Sequence, residues 1–207
     1  MIDTVSLVHH DLTEEFAGRF AEAGRVAWDI ETTGLDWREG RIGTCQLHAE
    51  NTGTVLVQID DKKPELLARL LADETVLKVF HHAPFDLGWM TGHWRTRATS
   101  VACTKVASRL LHPAAVNEAH SLKVLLKQNL GVHLDKGERL SDWTLENLSH
   151  AQVEYAAQDV EHLLPLLDAL EQQLEQADLL GTFQDCLSYL PTRVWFSTNG
   201  WPDVFSY

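Results

Sequence analysis

Apolar positions along this chain recur first at helical spacing, then in alternation, and finally at helical spacing again. The run around Leu12 to Ala23 predicts a helix, and Arg25 to Ile30 follows as a strand. Strand alternation places Val26, Trp28 and Ile30 on one face of that strand and Ala27, Asp29 and Glu31 on the other. A turn at Gly34 precedes two more strands near Ile42–His48 and Thr54–Ile59, and three strands in succession predict a meander. Pro64 opens a helix carrying Leu66, Leu67, Leu70 and Leu71, after which Val76–Phe80 reads as a buried strand ending in the turn His81-His-Ala-Pro-Phe-Asp86. From about Ser100 the pattern is almost wholly helical. A β-rich first half, one crossover helix and a helical second half predict an α/β fold, a mixed sheet flanked by helices.

Length and composition narrow this picture. With 207 residues and 44% hydrophobic content, one well-buried domain over residues 1–207 is expected, without repeats or long linkers. No stretch approaches the roughly 20 consecutive apolar residues of a membrane span, and the N-terminus lacks the order of a signal peptide. A cytoplasmic protein with no membrane partner is the expectation. Cys45, Cys103 and Cys186 are odd in number and far apart, which fits neither a disulfide framework nor a thiolate zinc site. The formal charge of −13 argues against a surface that grips long nucleic acid by neutralising many phosphates. It does not exclude phosphate chemistry, because carboxylates loaded with divalent cations reverse their local sign.

Three local patterns carry candidate chemistry. Asp29 and Glu31 project from one strand face about 7 Å apart, close enough to share one cation or a close pair. A strand end emerging into solvent would look the same. Asp86 falls in the first turn of the helix that Pro84 opens, where the helix dipole favours an acid, so a capping role accounts for it equally well. His81 and His82 point apart and have no third nitrogen or sulfur ligand at suitable spacing, which disfavours zinc. In the helix Gln152 to Val160, the residues Val153, Ala156, Ala157 and Val160, continued by Leu164 and Leu167, form the core stripe. Tyr155 and Asp159 fall on the opposite face, one turn apart, so a phenol and a carboxylate address one small volume. A solvated polar face is the alternative. Pro165 predicts a kink beyond them.

In order along the chain, Asp29-Ile-Glu31, Phe85-Asp86 and Tyr155-Ala-Ala-Gln-Asp159 resemble the three exonuclease motifs of the DEDD superfamily, in the subgroup with tyrosine in the third. Leu134-Asp-Lys136, Ser141-Asp-Trp143, Leu148-Ser149 and the run Tyr155 to Pro165 resemble ribonuclease D. The segment Cys103 to Leu110, the ending Tyr189-Leu-Pro-Thr-Arg193 with Gly200-Trp201, and the absence of C-terminal helical RNA-binding domains resemble the short nanoRNase C branch. His82-Ala83-Pro84 departs from the pattern of both branches.

The resemblance implies a ribonuclease H-like mixed sheet flanked by helices, and a 3′–5′ exoribonuclease that uses two divalent cations, Mg²⁺ or Mn²⁺, to release 5′-mononucleotides. It implies that Asp29 bridges the cations, that Glu31 and Asp159 complete the site of the attacking water, that Asp86 supports the second ion and that Tyr155 orients the water. Thr32, Gly34 and Leu35 resemble the pocket for the substrate's terminal ribose, with the leucine as a wedge against bases or, alternatively, as ordinary core. His82 is a further candidate substrate contact. Phe85 and Trp143 are candidates for base stacking or for packing, and Lys136 for a phosphate contact or a solvated surface lysine. The implied partners are RNA, above all short oligoribonucleotides, and further copies of the chain as a homo-oligomer. A ribonuclease acting on longer RNA, a DNA exonuclease and a non-catalytic binding module remain the alternatives.

Overall fold

The computed structural model describes residues 5–134, 137–138 and 141–206, and the expected meander forms the centre of its sheet. Strands β2 (Arg25–Thr32), β3 (Ile42–Ala49) and β4 (Gly53–Gln58) pair antiparallel in sequence. Two edge strands escape the periodicity reading, β1 (Ser6–His9), parallel to β4, and β6 (Val101–Cys103), parallel to β5 (Leu77–Phe80). Both are too short to show alternation. With β5 parallel to β2, the six strands run in the order β1-β4-β3-β2-β5-β6.

Helices cover both faces. Val26, Trp28, Ile30, Cys45, Leu47, Val55 and Val57 pack against α1 (Glu14–Ala23), α2 (Glu65–Ala72) and α3 (Ala83–Trp94). On the opposite face Ala27, Val79 and Ala102 meet leucines of α5 (Leu122–Leu130) and α7 (Leu163–Gln176), together with Ala107 of α4 (Thr104–Leu111). There too α6 (His150–Glu161) crosses β2, β3 and β4, laying Tyr155 and Ala156 over Leu56. Helix α8 (Leu180–Thr198) packs along α3, α4, α7 and β6. The architecture is the mixed, helix-flanked α/β sheet that the pattern predicts.

Two local features set up the site. The β2–β5 pairing stops at Ala27 and Val79, while β2 continues against β3 through Glu31 opposite Thr44 and, past a register shift, to Thr32 opposite Ile42. The far half of β2 therefore keeps one backbone edge open, at the point where its two neighbours run in different directions. Crevices of this kind are the usual ligand positions of α/β sheets. The start of α6 is fixed by a capping box, in which the Ser149 side chain accepts from the Gln152 N–H and the Gln152 side chain accepts from the Ser149 N–H. Gln152 also donates to the Asp142 carbonyl, which ties the preceding loop to the helix. Instead of kinking one long helix, Pro165 lies in the first turn of α7, where its missing N–H would have had no partner. No helix is long and apolar enough to cross a membrane among the described residues.

Candidate active site

Asp29 and Glu31 stand on the sheet face that α6 covers, and Asp159 approaches them from α6. One carboxylate oxygen from each lies within 4.8 Å of the others. Strand alternation supplies the first two, and the turn spacing on α6 places Tyr155 beside Asp159. Tyr155 and Asp159 on α6 are thus half-buried over the sheet.

Asp86 enters from the first turn of α3. Its carboxylate accepts its own backbone N–H and that of Ile30, filling the edge that β2 leaves open beyond Ala27. It is 3% exposed, and burial pushes its pKa up to about 8. Asp86 lies outside the close trio, yet its charge is felt at Asp29. Asp29 itself is raised well above the usual carboxylate range, first by desolvation and then by Asp86, Asp159 and Glu31. Acids that disfavour one another's charge and offer carboxylate oxygens to one small volume fit a hard divalent cation such as Mg²⁺ or Mn²⁺.

Tyr155 donates its hydroxyl to Asp159, and it packs on Trp143 with ring centroids 5.9 Å apart. Desolvation and then the charges of Asp159, Glu31 and Asp29 hold the phenol protonated far into the alkaline range. A residue that the sequence reading missed completes the site. Gln46, opposite Asp29 on β3, donates from Nε2 to the Asp29 Oδ2 at 2.6 Å. Its polar character within the buried strand Ile42–Ala49 was the available signal.

The candidate substrate contacts divide. Leu35 is 87% exposed, so the core explanation for it fails. Thr32 donates through Oγ1 to the Gly34 carbonyl at 2.7 Å, shaping the turn. Gly34 has no positive φ, and a Cβ there would meet nothing within 4 Å, so the turn does not itself demand glycine. Phe85 is half-buried against Trp89. His82 reaches the surface, where partial burial of its ring and then the charges of Lys105, Arg109 and Arg193 lower its pKa. Trp143 follows the packing alternative: it is 2% exposed, its backbone lies against Gly43 and its ring packs on Tyr155. Lys136 lies outside the described residues.

A sheet of this order with four converging acids and a neighbouring tyrosine defines the DEDD class of nucleases. Residues 6–175 match the 3′–5′ exonuclease family, and the chain belongs to that family, within its ribonuclease D-like part and on the nanoRNase C branch. The branch rests on full-length similarity to Brucella melitensis NrnC, at 34% identity and a TM-score of 0.90 over 99% of this chain and 98% of that one. Structures of the same protein with bound Mg²⁺ and bound to pGG each give 33% identity and a TM-score of 0.89. Ribonuclease D of Granulibacter bethesdensis is 31% identical over 145 residues, covering 68% of this chain and 36% of the relative. DNA polymerase I of Aquifex aeolicus is 34% identical over 151 residues, 72% of this chain and 24% of the relative. The chain spans about a third of the length of the ribonuclease D relatives it first matches.

Proposed function

We propose that this chain is a two-cation 3′–5′ exoribonuclease, a single exonuclease domain that shortens small oligoribonucleotides to 5′-mononucleotides. The observation that carries the reading is the approach of Asp29, Glu31 and Asp159 within 4.8 Å of one another, on the face where Tyr155 bonds Asp159. Asp29 is the ligand both cations would share, Glu31 and Asp159 would complete the position beside the attacking water, and Asp86 would support the second cation. Bound there, the cations would supply positive charge to the phosphoryl oxygens and an acidified water.

The remaining steps belong to the chain. Tyr155, kept neutral, acts as a hydrogen-bond partner that orients the water and does not take its proton. Leu35, projecting into solvent beside Thr32 and the open backbone of Gly34, would separate the terminal bases while the turn meets the last ribose. Phe85 on α3 and His82 in the turn before it would be further substrate contacts.

Short RNA is favoured by the NrnC structure bound to pGG and by the net charge of −13, which disfavours a long phosphate track. Self-association of the chain belongs to the same reading. The similarity to DNA polymerase I keeps DNA 3′ ends as the second reading, since four carboxylates do not read the 2′-hydroxyl. The test is product identity: short RNA with Mg²⁺ or Mn²⁺ should yield 5′-mononucleotides from the 3′ end, and chelation should stop it. Absence of any product on RNA and DNA alike would end the enzyme reading.

A further inference from the structure

Strand β3 is buried through Ile42–Leu47, yet it carries Thr44 and Gln46, both with no exposed surface. Polar groups in such a place cost stability unless every one is hydrogen-bonded. These two are bonded in series toward the site. Thr44 Oγ1 donates to Gln46 Oε1 at 3.2 Å, and Gln46 Nε2 donates to Asp29 Oδ2 at 2.6 Å. Register explains the line-up, because Gln46 pairs with Asp29 and Thr44 with Glu31, and directly opposite residues share a face.

The chemistry of the series fixes the amide's orientation. With Thr44 holding the carbonyl end, the NH₂ end must face Asp29; the flipped amide would set an oxygen against a carboxylate. We infer that Gln46, held by Thr44, is a positioning residue for Asp29, locking the rotation of its carboxylate so that its remaining lone pairs face the cations. A carboxylate oxygen has two acceptor directions, so Oδ2 can keep the amide and still contact a metal. Partners of this kind behind metal ligands are commonly worth about ten- to a hundredfold in affinity or rate. The inference rests on the nuclease reading for its purpose, but not for its measurement.

The experiment compares wild type, Gln46→Met and Thr44→Val by Mn²⁺ titration calorimetry on the substrate-free protein, and then by kcat and KM on a short oligoribonucleotide. Gln46→Met keeps the side-chain length and removes the donor. Mn²⁺ affinity should fall about tenfold or more, and kcat should fall with KM almost unchanged. Thr44→Val, which only frees the amide, should weaken Mn²⁺ binding about fivefold. If Gln46→Met does not fold, Thr44→Val decides on the same readouts. Folded variants with wild-type Mn²⁺ affinity and kcat would overturn the role of Gln46 alone. Weakened Mn²⁺ binding in a protein that cleaves nothing would keep Gln46 as a positioning residue and sink the nuclease reading.

Discussion

The Tyr155 hydroxyl donates to the carboxylate of Asp159, one turn further along the same helix, and both residues are half-buried beside the sheet. This bond couples a neutral phenol to a proposed cation ligand. Tyr155→Phe should therefore lower kcat by about a hundredfold while leaving Mn²⁺ affinity within about threefold of wild type, since the phenol orients water and holds no metal. Single-turnover rates alongside Mn²⁺ titration check this. Equal loss in both would assign Tyr155 to shaping the metal site.

Asp86 makes the metal-free protein sensitive to alkali. Its carboxyl is raised from an ordinary 3.8 to about 8, so the folded state holds a proton that the unfolded state has already released. Its stabilising contribution is complete below pH ~4 and is lost progressively as pH rises toward 8; Asp29 shifts in the same direction. Chelated protein should melt lower at pH 8 than Asp86→Asn does, and Mg²⁺ or Mn²⁺ should raise the wild-type melting temperature most at that pH. Thermal melts from pH 5 to 9, with and without cation, measure it. Parallel pH curves for wild type and Asp86→Asn would contradict it.

Function and stability should part at Asp29. Asp29→Asn removes an ionisable group from a cluster whose charges disfavour one another, so the chelated variant should melt at least as high as wild type, while cation binding and activity are lost. A melting scan paired with calorimetry tests both halves.

Leu35 and Gly34 should matter to substrate and not to the fold. Leu35→Ala and Gly34→Ala are each expected within about 0.5 kcal/mol of wild-type stability, given the exposure of one and the open space at the other. Both should raise KM on short RNA several-fold. Denaturant melts and steady-state kinetics separate the two effects.

The strand carrying Asp29 and Glu31, the meander and the helix carrying Tyr155 were legible because each repeats its period over several residues. Strands β1 and β6 were not, being four and three residues long and recognisable only by pairing with neighbours distant in sequence. Approach of the acids could be read only as a matched order of motifs; spacing says nothing of how α3 reaches the open edge of β2. Trp143 stays open between stacking and packing in the sequence because an aromatic beside a site has the same local signature whether it meets a base or, as here, packs on Tyr155. Gln46 was overlooked because its significance lies across the sheet from Asp29, not along the chain.

The most direct test of the account follows a 5′-labelled diribonucleotide, a heptaribonucleotide and their DNA counterparts with Mg²⁺ or Mn²⁺, with Asp159→Ala as control. Stepwise 3′ shortening of RNA is expected, fastest on the shortest substrate, with little on DNA and none with Asp159→Ala. Full activity in Asp159→Ala, or a wild type inactive on every substrate, would contradict it.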